Sequence, residues 1–394
     1  MKIKAIIGCG NGDCGKGRIV DSVADAKSLV IRFNGGAQAG HTVVHPNGKR
    51  HAFRHIGAGT LKGAATYLSK FFIVNPMFFS KERKEIIKKF GICPGVIVNP
   101  FCFVTTPWDM MVNQILEDSR GENKHGSCGV GINETVERSL KMPLNVQMLR
   151  GEYCKQIINH IRYEYVPQRL KDLGLEAEEK YWKWIKSDGV YDRYLKDVDQ
   201  FFEGITLGDP TFEDYSNVIF EGAQGLMLDQ RHENFPHVTR SNTGCQNVGL
   251  LMEEFNMRDE VELIYVTRSY LTRHGAGPLP NEDPAMEIPD ETNIANPFQG
   301  KLRFGLLDTE RLILEVSKDM EKIRVPFSPS IAVTCLDQNP GHVIVNDQEE
   351  YLSSEGLCVH ILADRLNFYK AYGSHSACSN APLQTWTRQE VLNG

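Results

Sequence analysis

The chain contains 394 residues, with 44 basic and 50 acidic side chains, so its formal net charge at neutral pH is −6. Hydrophobic residues make up 41% and charged residues 24% of the sequence, which is typical of a soluble globular protein. The negative charge argues against a protein that coats nucleic acid, and no apolar run is long enough to span a membrane. The N-terminal apolar stretch is too short for a signal peptide, so we expect a cytoplasmic protein without nucleic-acid or membrane partners.

The predicted elements begin with a strand over 2–9, a glycine-rich turn, a helix over 16–26 and a second strand over 28–33. The charged and aromatic stretch 151–204 lacks strand alternation and predicts helices. Further helices are predicted over 77–90, 107–119 and 307–320, and further strands over 215–220, 261–266 and 330–336. This order predicts an α/β fold with a mostly parallel central sheet flanked by helices. We expect a single domain over 1–394, with a mainly helical insertion or subdomain over 105–205.

Ten cysteines are present, and none forms a C-x-x-C pair. The spacing between Cys9 and Cys14 is not that of a metal site. A disulfide framework is not expected in a long chain without secretion signals. The cysteines are therefore predicted to be buried free thiols.

The glycine-rich turn over 10–18, with the sequence GNGDCGKGR, follows the first predicted strand and opens the first predicted helix. Backbone N–H groups at such a turn can bind phosphate oxygens, and Lys16 adds a positive charge beside them. Gly17 stands where a P-loop carries the Ser or Thr that binds Mg²⁺, which disfavours a P-loop kinase or GTPase. Another ligand must hold the metal, and Asp13 inside the turn is the candidate.

Two more clusters follow predicted strands: NGGAQAGHT over 34–42 and FEGAQG over 220–225. Because ligands of open α/β sheets bind at the carboxyl ends of the strands, we expect Asp13 and His41 to face one pocket. A carboxylate and an imidazole can serve there as general base and general acid. The Gln224 carboxamide can both donate to and accept from the edge of a polar heterocycle.

Together these clusters resemble the adenylosuccinate synthetase family. The similar stretches occur in the family's order and are GDCGKGRIVD, NGGAQAGHTVV, FEGAQGLMLDQ, PHVTRSNT, TRHGAGPLPNE and GLLDT. The resemblance implies that the amino group of L-aspartate is joined to C6 of a 6-oxopurine nucleotide, using an NTP. The NTP first phosphorylates O6, and aspartate then displaces the phosphate. It also implies a purine nucleoside monophosphate, an NTP and L-aspartate as ligands, Mg²⁺ as cofactor, and a homodimer.

The resemblance further implies roles for individual residues. Asp13 would remove the N1 proton, His41 would donate toward the β,γ-bridging region of the NTP, and Gln224 would hold the purine edge. Mg²⁺ would be bound by Asp13 and the backbone carbonyl of Gly40. The NTP-binding residues implied are Gly12, Gly15, Lys16, Gly17, Gly40, His41, Thr42, Leu336, Asp337 and Gly373. Those for the purine nucleotide are Asp13, Asn34, Gln38, Ser127, Cys128, Lys141, Gln224 and Thr239, and those for aspartate are Asn296, Gln299, Gly300, Lys301 and Arg303.

The sequence also departs from the family pattern. Cys335 replaces the lysine of the guanine-reading Lys-Leu-Asp motif, which weakens the case for GTP as donor. Gly300 stands at the position of the arginine that approaches the ribose 2′-hydroxyl, and Val130 replaces the arginine of a phosphate loop. Lys141 and Arg138 are alternative replacements for the family's cross-subunit arginine.

The family's lysine that contacts guanine and its arginine that approaches the ribose 2′-hydroxyl are both replaced, by Cys335 and Gly300. These two replacements together favour a bacteriophage branch of the family. That branch uses dGMP with ATP or dATP and makes N6-succino-2-amino-2′-deoxyadenylate, a precursor of 2-aminoadenine in DNA; its members act in the host cytoplasm. The alternative is ordinary adenylosuccinate synthesis from IMP and GTP, which Asp13 favours because some phage members carry serine there. A nucleotide sensor without turnover is a further alternative, and retention of Asp13 and His41 favours an enzyme over it.

Overall fold

The computed structural model describes residues 1–121, 126–290, 292–293, 300–338, 341–363 and 366–393. The strands in these ranges are β1 (Lys2–Gly8), β2 (Ser28–Arg32), β3 (His41–Val44), β4 (Arg50–Phe53), β5 (Ala65–Leu68), β6 (Val96–Val98), β7 (Thr206–Leu207), β8 (Asn217–Glu221), β9 (Val261–Arg268), β10 (Tyr270–Arg273), β11 (Arg303–Asp308), β12 (Phe327–Thr334), β13 (His342–Val345), β14 (Gln348–Tyr351), β15 (Lys370–Gly373) and β16 (Gln384–Thr387). The helices are α1 (Lys16–Val23), α2 (Pro76–Phe90), α3 (Pro107–Ser119), α4 (Ile132–Lys141), α5 (Gly151–His160), α6 (Val166–Asp172), α7 (Glu179–Ile185), α8 (Asp188–Glu203), α9 (Gln246–Glu254), α10 (Thr309–Met320), α11 (Ser354–Ala363) and α12 (Arg388–Asn393).

A ten-stranded sheet forms the centre of the fold, in the order β16-β15-β12-β9-β1-β8-β2-β5-β6-β7. Neighbouring strands are parallel throughout, except for the antiparallel pair β15–β16. Every residue of β2 and β8 is buried, as expected where helices cover both faces of a parallel sheet. The predicted fold class is therefore confirmed. Smaller sheets are formed by β3–β4 and by β10-β11-β13-β14.

Helices α3–α8 lie between β6 and β7 in the chain, as the composition of 151–204 predicts. A capping box starts α3, because the Thr106 hydroxyl accepts from the Asp109 amide and the Asp109 carboxylate accepts from the Thr106 amide. The indole of the fully buried Trp108 donates to the Ile185 carbonyl at 3.1 Å and ties α3 to α7. The assignment of 105–205 as a separate subdomain stays a prediction.

Two predicted helix boundaries were wrong. Leu307 belongs to β11, where it pairs with Val343, and α10 starts only at Thr309 because the Asp308 carboxylate accepts from the Arg311 amide as the N-cap. Helix α1 ends at Val23 because Ala24 adopts an extended conformation.

All ten cysteines are free, and six of them are buried as predicted. The prediction was wrong for Cys93, which is exposed, and for Cys128, Cys335 and Cys378, which are only partly buried. Within the described residues, no helix combines the length and apolar character that a membrane crossing needs.

Candidate functional site

Strands β1, β8 and β2 lie side by side and run parallel, so the loops that follow them meet at one edge of the sheet. These loops, over 9–15, 33–40 and 222–225, overlap the three sequence clusters over 10–18, 34–42 and 220–225. Their glycines permit close backbone approach: a Cβ on Gly225 would lie 2.2 Å from the Gly10 carbonyl oxygen. The predicted convergence of the three clusters is thus present in the structure.

Helix α1 begins directly after the first loop, with Gly15 in the left-handed conformation at its N-cap. A Cβ on Gly15 would lie 2.8 Å from the Thr334 hydroxyl, so the helix N-terminus is packed against the end of β12. The Lys16 ammonium is buried, donates to the Gln224 carbonyl at 2.5 Å and lies 3.5 Å from the Cys14 sulfur. The helix N-terminus and this ammonium together form a positively charged cradle suited to phosphate.

Gln224 lies beside the first loop, with a positive φ of 64°. A Cβ on Gly12 would be 3.4 Å from its side-chain oxygen. The Gln224 carboxamide is therefore placed at the loop that also carries Asp13.

His41 lies against the start of α1, because a Cβ on Gly17 would come within 3.0 Å of the His41 Cβ. His41 Nδ1 is hydrogen-bonded to Oε1 of Glu221, and the other oxygen of Glu221 accepts from the Ala58 amide at 3.0 Å. His41 Nε2 is buried and has no partner among the described residues, and the same is true of the Thr42 hydroxyl. Neither atom is therefore engaged by a hydrogen bond within the described residues.

Burial lowers the pKa of His41 to about 4, against the opposing influence of Glu221. Burial would raise the pKa of Glu221, but the positive charge of Arg32, the His41 hydrogen bond and the Ala58 amide together bring it below its usual value. Arg32 and Glu221 are register partners on β2 and β8, and both are fully buried. The imidazole is therefore neutral in the free protein, with its proton on Nδ1.

Sequence reasoning did not single out Glu221, although it lies in the FEGAQG cluster. A carboxylate that ends a fully buried strand is the signal that could have found it, since such a group needs a buried partner.

Asp13 also has a positive φ, of 50°, and its side chain is partly exposed. Oδ2 of Asp13 lies 3.4 Å from Nε2 of His274, and the guanidinium of Arg268 donates to the Asp13 backbone carbonyl. Asp13 thus faces the site from a backbone position that is held by β9.

The second loop is linked to the third through Asn34. Its side-chain amide donates to the Ala223 carbonyl at 3.1 Å and accepts from the Ala223 amide at 2.7 Å. The Asn34 carboxamide is therefore engaged within the protein. Gln38 differs, because both polar atoms of its buried carboxamide have no partner among the described residues.

Three of the residues implied for the purine nucleotide, Ser127, Cys128 and Thr239, lie on loops next to this edge. The Ser127 hydroxyl accepts from the Asn113 side chain at 3.0 Å, and a Cβ on the preceding Gly126 would lie 2.6 Å from the Cα of Gly275. Burial raises the pKa of the Cys128 thiol. Thr239 lies two residues from Ser241, whose hydroxyl accepts from the Gly35 amide at 3.1 Å.

Three of the residues implied for the NTP, Leu336, Asp337 and Gly373, lie at or just after the ends of β12 and β15. The amide of the buried Leu336 donates to the Ser374 carbonyl at 3.1 Å, whereas Asp337 is exposed. Gly373 is packed tightly, since a Cβ there would lie 2.7 Å from the Trp386 ring and 3.0 Å from Leu336. The exposed Asp337 can reach a ligand beside this surface.

The predicted aspartate-binding residues are only partly described. Asn296 and Gln299 lie outside the described residues, and Gly300 and Lys301 are exposed. The Arg303 guanidinium forms an ion pair with Glu282 and donates to the carbonyls of Gly275 and Gly277. The carboxylate of a bound L-aspartate substrate would have to compete with Glu282 and with these two carbonyls for Arg303.

The two alternatives for a cross-subunit cation behave differently. Arg138 is fully buried and bonded to Asp109 at 2.8 Å, so it cannot reach a partner subunit and this alternative was wrong. Lys141 is exposed at the end of α4, 3.6 Å from Asp172.

The donor set fits Mg²⁺ of the kind that is bound mainly by substrate phosphates. Within the described residues, no cluster of three or more His, Cys, Asp or Glu side chains could hold a metal alone. Mg²⁺ typically uses one or two carboxylates and completes its shell with phosphate oxygens and water. The partly exposed Asp13 carboxylate and the exposed Gly40 offer such hard oxygen ligands.

Residues 5–312 of the chain match the family model described as Adenylosuccinate synthetase. The adenylosuccinate synthetases of Acetivibrio thermocellus and Prochlorococcus marinus are 28% and 30% identical to it, over 72% and 70% of this chain. These alignments cover 66% and 63% of the relatives, so the chain spans slightly less than two thirds of their length.

Two solved structures show the same fold. Fully ligated adenylosuccinate synthetase from Plasmodium falciparum superposes with a TM-score of 0.61 at 21% identity, covering 86% of this chain and 77% of that chain. Cyanophage S-2L succinoaminodeoxyadenylate synthetase, bound to dGMP and to dATP as energy donor, superposes with a TM-score of 0.62 at 13% identity, covering 100% and 97%.

Proposed function

Because the chain belongs to the adenylosuccinate synthetase family, we propose that it joins the amino group of L-aspartate to C6 of a 6-oxopurine nucleotide, with cleavage of an NTP. The observation that carries this proposal is the convergence of the phosphate cradle, His41 and Gln224 at one edge of the sheet. Asp13 lies on the same loop as the cradle, so one bound nucleotide pair can contact all of these groups.

The reaction has two steps that these residues can support. The γ-phosphoryl group passes to the purine O6 while the N1 proton leaves to Asp13, which makes O6 a better nucleophile. The amine of aspartate then attacks C6, loses a proton and displaces inorganic phosphate. Gln224 holds the purine edge through its carboxamide, and Lys16 and the N-terminus of α1 bind the donor phosphates.

Mg²⁺ would be held by the Asp13 carboxylate and the Gly40 carbonyl, and when bound it would neutralise charge on the donor phosphates. His41, which lies beside Gly17 and whose Nε2 has no partner among the described residues, would contact the same phosphates through Nε2. Donation from Nε2 requires that this atom be protonated in the complex, and Glu221 at Nδ1 supplies the negative charge that stabilises the imidazolium.

The nucleotide pair that we propose is dGMP with ATP or dATP, giving N6-succino-2-amino-2′-deoxyadenylate. Cys335 at the guanine-reading position and Gly300 at the 2′-hydroxyl position support it. The cyanophage enzyme that is bound to dGMP and dATP shares this fold over the whole chain, which also supports it. The alternative pair is IMP with GTP, which the presence of Asp13 favours.

The test is a substrate panel that crosses IMP, GMP and dGMP with ATP, dATP and GTP, each with and without L-aspartate. We expect phosphate release that requires both aspartate and the purine nucleotide, together with a succinylated product. Release without aspartate would indicate a kinase, and no release with any pair would indicate a nucleotide-binding protein without turnover. A preference for IMP and GTP would establish the alternative pair.

We further propose that the protein acts as a homodimer, with the exposed Lys141 in place of the family's cross-subunit arginine. Analytical ultracentrifugation of wild type with and without nucleotides tests the dimer. Lys141→Ala should then raise the KM for the purine nucleotide.

A further inference from the structure

An imidazole, that of His274, lies at the Asp13 carboxylate. His274 follows β10 directly, and its Nε2 is 3.4 Å from Oδ2 of Asp13 and 3.2 Å from Oδ1 of Asn293. The loop that carries His274 is held firmly, because Arg273 donates to the Ala276 carbonyl at 3.1 Å and to Asn11 at 2.7 Å. His274 is therefore fixed beside the group that is proposed to remove the purine N1 proton.

The neighbours of His274 determine which ring nitrogen carries the proton. Asn293 Nδ2 donates to Asp290 at 2.8 Å, so its oxygen is the atom that faces His274. Asp290 is itself ion-paired with Arg268 at 2.9 Å. Both atoms near Nε2 of His274 are thus oxygen acceptors, which places the proton of the neutral ring on Nε2.

The other nitrogen, Nδ1 of His274, is then an acceptor with a free lone pair. It is buried, and it has no hydrogen-bond partner among the described residues. A buried acceptor without a donor is unfavourable, so a donor on a bound ligand would be stabilising at this atom. Gly275, the next residue, packs against Gly126, which precedes Ser127, a residue implied for the purine nucleotide, so His274 lies on the segment that joins the Asp13 side chain to that loop.

We propose that Nδ1 of His274 accepts a hydrogen bond from the 2-amino group of a 2-aminopurine nucleotide, and so selects guanine over hypoxanthine. On guanine, the N1–H and 2-amino donors are adjacent on one edge. A base that presents N1–H to Asp13 therefore presents the amino group to a neighbouring acceptor. Hypoxanthine has a C–H at this position, which leaves Nδ1 unsatisfied. This inference rests on the proposed function and deepens it, because it names the substrate class and the residue that selects it.

The test compares dGMP with dIMP, which differ only in the 2-amino group, in wild type and in two variants. Glutamine can imitate the Nε2–H of histidine and asparagine can imitate Nδ1. We expect wild type to prefer dGMP, and His274→Gln to lower the dGMP-to-dIMP ratio of kcat/KM by about tenfold. His274→Asn should keep the ratio within about threefold of wild type. His342→Gln is the matched control, because His342 is exposed on β13 and pairs with Glu349 at 2.6 Å.

Equilibrium binding of dGMP and dIMP, measured by calorimetry, repeats the comparison without turnover. If no nucleotide pair supports aspartate-dependent phosphate release, the proposed function fails, and the binding ratio still tests His274. If turnover occurs and His274→Gln leaves both ratios unchanged, the inference is overturned while the ligase stands. A wild-type preference for dIMP overturns it as well.

Discussion

The Glu221 carboxylate bonds Nδ1 of His41 at the point where β8 ends, and both side chains are buried. The two oxygens of Glu221 accept hydrogen bonds from His41 Nδ1 and from the Ala58 amide. The positive charge of Arg32 on the neighbouring strand stabilises the negative charge of this carboxylate. The carboxylate therefore holds the proton of the neutral His41 ring on Nδ1. Nε2 of His41 is left without a hydrogen-bond partner among the described residues. Glu221 is thus a positioning residue for His41.

We expect Glu221→Gln to lower kcat at least about tenfold, with a smaller change in the KM for NTP. A glutamine side chain has one acceptor oxygen and one NH2 group. Either His41 Nδ1–H or the Ala58 amide would therefore face the NH2 group, a donor opposite a donor, and the negative charge opposite Arg32 would be lost. Steady-state kinetics measure the effect, and a changed pH profile of kcat distinguishes positioning from a packing defect.

Glu82→Gln is the control for that experiment. Glu82 is another buried carboxylate beside a histidine, accepting from the Arg54 amide at 2.8 Å and the His55 amide at 2.9 Å, but it lies outside the proposed site. We expect Glu82→Gln to lower Tm while kcat of the folded enzyme changes little. Equal losses of kcat in both variants would contradict a specific role for Glu221.

Asp13→Ala should abolish turnover, because it removes the group proposed to accept the N1 proton. Asp13→Asn tests the same step while keeping the size of the side chain and an oxygen near His274. Donor binding, measured by calorimetry, should remain, since Lys16 and the N-terminus of α1 still bind phosphate. A kcat near wild type in either variant would remove Asp13 from the mechanism.

The sequence predicted the sheet and the meeting of the three clusters, because strand periodicity and glycine-rich turns are local patterns. It did not predict how side chains would be used across long sequence separations. Asn34 is bonded to Ala223, 189 residues away, and Arg138 to Asp109 on another helix. Glu221 and His274 were missed for the same reason, since each depends on a partner from a distant strand or loop.

Cys335→Lys should shift the ATP-to-GTP ratio of kcat/KM toward GTP, if position 335 contacts the donor base. Cys335 has a positive φ of 58° and follows the buried end of β12, directly before Leu336, which would lie 3.0 Å from a Cβ on Gly373. Cys335→Met is the control, since it lengthens the side chain without adding a charge. An ATP-to-GTP ratio that is the same in wild type and both variants would show that this position does not read the base.

A buried carboxylate on α1 should make stability depend on pH. Neither oxygen of Asp21 has a hydrogen-bond partner among the described residues, and Lys62 is 4.0 Å away. Burial raises the pKa of Asp21 to about 6, above its ordinary value of about 4.

Asp21→Asn should therefore raise Tm at pH 7.5 and have little effect at pH 4. The folded state holds the Asp21 proton more tightly than the unfolded state, so the wild type loses stability as pH rises from about 4 through about 6. Asparagine cannot ionise and escapes this loss, so the difference in Tm between variant and wild type should grow over that range and stay constant above it. Asp192→Asn, at an exposed position on α8, is the matched control and should follow the wild type. If the Tm of the variant minus the Tm of wild type were instead largest at pH 4, the prediction would be wrong. That result would mean that the surroundings of Asp21 stabilise its ionised carboxylate.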